Sequence, residues 1–331
     1  MMRNMDKLFF FNLLAIVLLT CGCTNKQEEE DMYLSNPRIG VSAYLTAPLV
    51  TTRTAASANP YLGTTPSVDN MLDASVWFSN TSGTYEAGGT PNILPRHTEV
   101  QFNSRGTVYP ESDVLLYPPS GTVYCVGLYP YSTTEWTNTD ASGTASNTHA
   151  SHAIDGSQDL MFAPEIEGTL ASRFGALAFT HQLTWLKINV IAENNNAISS
   201  WGNVTDITVT SPGNRLTVDL STGTASCNST PTDIKAFEGS SALKITSQQF
   251  GSVFCAPATS YNISVTTSNG GLINLGSIAL KQTDGTTLVP DAAYAKGKMF
   301  VITLNFKPIS MVEATCTLTY WDDIYQTIEG Y

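Results

Sequence analysis

The sequence predicts an all-β protein assembled from antiparallel β-sandwiches, and three observations carry that prediction. Almost every periodic segment alternates with period two, the spacing that puts successive side chains on opposite faces of a strand. Clusters of Ser, Asn, Gly and Pro break these segments apart, at 79–83, 211–214 and 268–271. Charged residues make up only 13% of the chain, against about 25% in an ordinary globular protein. Ser, Thr, Asn, Gly and Tyr replace them, the texture of an extracellular β protein whose solvent faces carry hydroxyls. Many short strands with regular breaks are the pattern of sandwiches.

The alternating segments follow in order at 39–45, 74–78, 122–128, 176–179, 183–190, 204–209, 216–220, 261–265, 299–304 and 314–318. No segment shows a helical stripe with caps; 194–201 reads as a short turn at most. Two polar stretches, 48–70 and 132–157, read as loops, the second with Ile154 as its only large aliphatic residue. A strand ends at Phe179 and another opens by Lys187, so the boundary between two sandwiches is placed there. The limits are 38–182 for the first and 183–331 for the second.

The N-terminus reads as an export address. Arg3 and Lys7 precede an apolar run from Leu8 to Leu19, and Thr-Cys-Gly-Cys follows. The run is shorter than the ~20 residues of a spanning helix and has the parts of a secretory signal. Its exit, Gly22-Cys23, resembles a lipobox: residues 1–22 are removed and Cys23 takes the lipid, Gly22 being smaller than the Thr20 that precedes the competing Cys21. Removal takes away Arg3, Lys7 and Asp6, a net +1, so 309 residues remain and the formal charge moves from −12 to −13. Residues 23–37 form an acidic tether with four consecutive acids from Glu28 to Asp31. Lys26-Gln-Glu-Glu29 is similar to the acidic export signal of surface lipoproteins in Bacteroidales-type bacteria. The expected location is therefore the outer membrane, reached through lipid on Cys23, with the protein facing outward. Net acidity argues against a nucleic-acid partner, which needs a basic stripe.

Residues that carry chemistry are sparse. His149 and His152 have the spacing of two metal ligands on a tight turn but no further donors, and read as exposed loop histidines. His181 reads as a structural hydrogen-bonding residue at a strand end. There is no G-x-S-x-G, H-E-x-x-H, phosphate loop or dinucleotide glycine pattern, and neither 155–159 nor Asp322-Asp323 has the alternating oxygen ligands of a calcium loop. No catalytic residue, metal or cofactor is expected. Cys125, Cys227, Cys255 and Cys316 have no C-x-x-C spacing; Cys125 and Cys255 sit in apolar strand patterns, where a thiol behaves as a small hydrophobe. Spacing alone assigns no disulfide.

Several stretches together resemble the fimbrillin-like family, the type V pilins of Bacteroidales. They are the strand ending in Tyr-Pro at 124–131, Asp159-Leu-Met-Phe-Ala163, the stretch 177–190, Leu216-Thr-Val-Asp-Leu-Ser-Thr-Gly223, the approach Tyr294-Ala-Lys-Gly-Lys-Met-Phe300, and Trp321. The resemblance implies two tandem transthyretin-like sandwiches and export as a lipoprotein. It also implies a trypsin-like maturation protease that cuts after an arginine past the first strand, and assembly with other pilus subunits by strand exchange. The first strand is then 38–47, and Arg53 in Thr-Thr-Arg-Thr-Ala-Ala is the cleavage site that fits; a cut at Arg38 would leave the strand attached. The donor strand corresponds to 317–331, with apolar positions at Leu318, Tyr320, Ile324 and Ile328. Their spacing is not clean alternation, so the segment is either a spare strand or a final strand with a tail. The first case gives a stalk subunit, the second a tip or accessory adhesin. The competing reading is a stand-alone surface binding module, anchored at Cys23 and contacting a host or bacterial receptor, with Tyr131, Trp136 and Trp201 either stacking on glycans or packing in the core.

Overall fold

The computed structural model describes residues 39, 41–45, 72–86, 96–102, 107–108, 116–131, 135–308 and 311–319. In the first half, β1 (Val41–Leu45), β2 (Leu72–Ser79), β3 (Arg96–Phe102), β4 (Thr107–Val108), β5 (Val123–Tyr129), β7 (Met161–Gly168) and β8 (Ala176–His181) form one sheet. Its strand order is β3-β2-β5-β7-β8-β1-β4. The end strands β3 and β4 lie side by side, so the sheet curls around an apolar cluster rather than remaining open.

Strands β2 and β5 and the first three residues of β7 are buried on both faces. Val76, Phe78, Cys125 and Ala163 enter the cluster inside the curl. Trp77, Val126, Leu128 and Phe162, one residue away in each strand, enter a second cluster on the opposite face. Period-two geometry requires that split, because a one-residue step reverses the face.

The second half is a sandwich of two four-stranded sheets. One contains β10 (Asn203–Ser211), β13 (Thr232–Ala242), β15 (Ser260–Thr267) and β16 (Gly271–Ala279); the other contains β9 (Thr184–Ala192), β14 (Gln248–Cys255), β17 (Met299–Lys307) and β18 (Met311–Thr319). Ile207, Val209, Ile263 and Val265 from the first face Ile188, Val190, Ile302 and Leu304 from the second. The chain passes from the curled sheet to this sandwich between His181 and Thr184. Most pairings are antiparallel, but β1 runs parallel to β8 and β9 runs parallel to β17.

Two sequence expectations change. Residues 194–201 contain a capped helix, α1 (Asn195–Trp201), because the Asn194 side chain accepts from the backbone N–H groups of Asn196 and Ala197, both at 3.0 Å. Trp201 anchors its end by donating from Nε1 to Lys307 O at 2.8 Å. A second, single-turn helix, α2, covers Ala292–Ala295. The stretch 132–157, read as a loop, holds a strand, β6 (His149–Ala153), which pairs with β11 (Arg215–Asp219) beside β12 (Thr224–Cys227). Composition hides β6 because His149-Ala-Ser-His-Ala153 holds no large aliphatic or β-branched residue; its backbone bonds come from a hairpin more than 60 residues away in the chain, with Thr217 opposite Ser151.

Candidate functional site

The expected strand exchange turns on the first strand. β1 alternates as Val41-Ser-Ala43-Tyr-Leu45, and Val41 and Ala43, with Ile39 just before them, are buried to 4% exposure or less. On one side its backbone runs along β8, from Ser42↔Ala176 to Leu45↔Phe179. On the other it meets the two-residue β4 through Val41↔Val108 and Ser42↔Thr107 only. Burial of Ile39 and Val41 contributes about 1.5–3 kcal/mol each, a modest hold for a strand inside a sheet. Beside it on β8, opposite Ala43 and Leu45, stand Leu177 and Phe179, both fully buried. The Phe179 ring reaches across to β5 at Gly127, where an added Cβ would stand 2.4 Å from Phe179 Cζ.

Cys23, Arg53, Tyr320, Ile324 and Ile328 lie outside the described residues. Arg53 belongs to the stretch 46–71 that joins β1 to β2. Leu318 sits within β18 opposite Phe300 and is 9% exposed. Of the predicted positions, Leu318 is the one that lies among the described residues.

His149 and His152 do not form a site. His149 Nδ1 shares hydrogen bonds with Ser146 Oγ (3.1 Å) and Thr148 Oγ1 (2.9 Å). His152 is buried, packs its ring on Trp136 at 5.0 Å and reaches Glu135 at 3.3 Å. Three residues apart on a strand, the two face opposite ways. No group of three His, Cys, Asp or Glu suited to a metal occurs among the described residues. Trp136 and Trp201 are 2% and 6% exposed and pack in the core, so neither offers a face to a glycan.

Two carboxylates make tertiary contacts that the sequence analysis did not assign to them. Asp159, completely buried, pairs with Nδ1 of His181 at the end of β8. Burial pushes the Asp159 carboxyl above its ordinary range despite the imidazole beside it. Glu165 on β7 accepts hydrogen bonds from Ser82 Oγ (2.6 Å), Gly83 N (2.7 Å) and the Tyr85 hydroxyl, holding the turn after β2 against β7. A sequence pattern reveals neither, because the partners lie 22 and about 80 positions apart.

A cleft of about 280 Å³ lies among Gln182, Leu216, Cys227, Pro257 and Lys296. Lys296 donates from Nζ to Gln182 Oε1 at 3.2 Å. Burial pushes the Cys227 thiol up to about 12 and the Cys316 thiol up to about 11, and burial raises Cys125 and Cys255 as well. All four are free thiols. None is an activated nucleophile, since the thiolate is the reactive form. At pH 8 only about one Cys227 in 10⁴ is ionised. Ellman's reagent is accordingly expected to leave these four cysteines largely unreacted in the native protein and to label them on denaturation; fast native labelling of Cys227 would contradict the burial argument.

Three comparisons bear on identity. A candidate cell-adhesion protein from Bacteroides uniformis superimposes with a TM-score of 0.51 at 14% identity, over 86% of this chain and 98% of its own. One from Bacteroides ovatus gives 0.52 at 13% identity with the same coverage. The fimbrial anchor protein Mfa2 from Porphyromonas gingivalis gives 0.42 at 10% identity, over 81% and 90%. These likenesses concern the fold alone. No curated protein sequence matches the chain. A model of the fimbrillin-like family matches residues 51–321, most of the chain. The chain therefore belongs to the fimbrillin-like family, whose members are structural proteins of cell-surface fimbriae and adhesion and not enzymes.

Proposed function

We propose that the protein is a stalk or tip subunit of a cell-surface pilus, delivered to the outer membrane by lipid on Cys23 and assembled by protease-triggered strand exchange. The observation that carries this reading is the seat of β1. It is a short strand between β8 and the two-residue β4, holding only a few apolar side chains in the cluster. The stretch that joins it to β2 contains Arg53. Cleavage there by a trypsin-like protease severs β1, and the lipid, from the rest. Departure of β1 bares the edge of β8 and a trough lined on that side by Leu177 and Phe179, the unpaired backbone and apolar surface that an incoming strand satisfies. A strand from another subunit fills it, the segment 317–331 with Leu318, Tyr320, Ile324 and Ile328 being the donor candidate; donation by its first residues requires Leu318 to leave its place in β18 opposite Phe300. The domain limits that go with this cycle are 38–182 and 183–331.

Trypsin treatment of the purified protein followed by a denaturing gel without boiling tests the proposal. The expected result is truncation at Arg53 and a ladder that collapses to one band on heating, both abolished by Arg53→Ala. Complete cutting at Arg53 that yields only monomer, or resistance at Arg53, would sink the strand-exchange cycle.

A further inference from the structure

The wall formed by β2, β5 and β7 owes its two faces to different parts of the protein. Its inner face shares a cluster with Ile39, Val41 and Ala43 around β1. Its outer face, through Trp77, Val126, Leu128 and Phe162, belongs to a cluster continuous with the core of the second half. The segment 135–159 makes that continuity. Leaving the first sheet after β5, it lays Trp136 into the outer cluster, with Nε1 donating to Pro130 O at 2.9 Å. It then adds β6 to β11 in five pairs, from His149↔Asp219 to Ala153↔Arg215, before returning to β7.

Backbone bonds flank this crossing. Leu220 N donates to Thr148 O (2.8 Å), Ile154 N to Asn214 O (2.8 Å) and Phe254 N to Gly156 O (3.1 Å). The turn after β2 closes on the same hairpin: a Cβ at Gly83 would stand 2.7 Å from Ser221 Cβ, so backbone meets backbone there. The first half is thus tied to the second by a strand pairing, by main-chain bonds and by a shared apolar core.

We propose that 135–159 is a strap that keeps the first half folded when β1 is gone, so that the protein can present an open trough without unfolding. This rests on the reading of β1 as a detachable strand. The physical ground is that removal of β1 withdraws its residues from the inner cluster only. The outer face of the wall, with its aromatic anchors, stays buried against the second half, and buried apolar area is the main force holding a sheet together. A sheet whose two faces shared one core would have no such reserve.

The test needs no protease, so its failure is separable from failure of the cleavage cycle. In the full chain, Val41→Asp with Ala43→Asp puts two carboxylates where β1 enters the apolar cluster, a burial that unpaired charges do not tolerate. Amide hydrogen exchange then reads each strand. The expected result is that β1 and the edge of β8 facing it lose protection while β2, β5 and β7 keep theirs. Adding Trp136→Ala is expected to strip protection from β2, β5 and β7; adding Leu304→Ala, a core truncation in the second half away from the strap, is expected to spare them. Loss of protection in β2, β5 and β7 from the two aspartates alone overturns the proposal. So does equal behaviour of the Trp136 and Leu304 variants. Retained protection of β1 overturns the reading of β1 as detachable, and the strap's role with it.

Discussion

Replacing Asp159 by alanine is expected to destabilise the intact protein by about 3–5 kcal/mol, the range seen when one member of a buried pair is removed. Asp159 is fully buried and His181 is 8% exposed, so alanine leaves the imidazole facing a cavity where water does not replace the carboxylate. Equilibrium unfolding in urea measures the effect, and a loss below about 1 kcal/mol, the range of exposed pairs, would show that the contact is solvent-screened. The pH dependence has a definite sign. Burial holds the folded-state carboxyl above its ordinary value of 3.8. Between that value and the folded-state pKa, the native protein binds more protons at this site than the unfolded chain does. Stability contributed by Asp159 is therefore greatest below the ordinary value and falls as pH rises through the folded-state pKa. Asp159→Asn keeps an acceptor for the imidazole and carries no charge. It is expected to abolish this part of the pH profile, and an unchanged profile would assign the pH dependence to other groups.

The pair also illustrates where sequence reasoning stops. His181 is legible as a hydrogen-bonding residue at a strand end, but its partner depends on how β7 and β8 come together, Met161 opposite His181. Strands whose one face is buried were legible in the same local way: 204–209 and 261–265 fall inside β10 and β15, where Ile207, Val209, Ile263 and Val265 alternate with exposed or half-buried neighbours. The edge strands β13 and β16 were not. β13 buries only Ile234 of its residues and β16 only Ile278, so neither presents a fully buried face to detect, whereas the edge strand β18 alternates over 314–318. β6 escaped for a different reason, since its pairing is set by the β11–β12 hairpin rather than by its own side chains. The parallel neighbours β1 and β8 are likewise invisible from sequence, because the connection between them spans the whole first half. Even so, the position that the sequence analysis assigned to the first strand, 38–47, contains the observed β1.

Gly127 and Phe179 are expected to be energetically coupled, and their coupling bears on the trough itself. Phe179→Ala removes a fully buried ring and is expected to lower stability by about 3–5 kcal/mol. Gly127→Ala is expected to cost about 1–3 kcal/mol by overpacking, because the new Cβ would lie 2.4 Å from Phe179 Cζ and 3.1 Å from Ala163 Cβ. Ala163 belongs to the same inner cluster, so the ring has little room to retreat. In the Phe179→Ala background that clash is absent and the methyl group instead occupies vacated space. The double variant is therefore expected to be more stable than the sum of the single losses implies, a non-additivity within the 0.5–3 kcal/mol typical of residues in contact. Chemical denaturation of the four proteins closes the cycle; strict additivity would mean that the ring does not rest on β5 at Gly127. Under the strand-exchange proposal the same ring lines one side of the trough that a donor strand enters. Phe179→Ala should then weaken the ladder formed after cleavage at Arg53 more than it weakens the monomer before it, because the incoming strand meets the cavity directly. A ladder of unchanged heat stability would show that Phe179 serves the subunit's own core and not the junction between subunits.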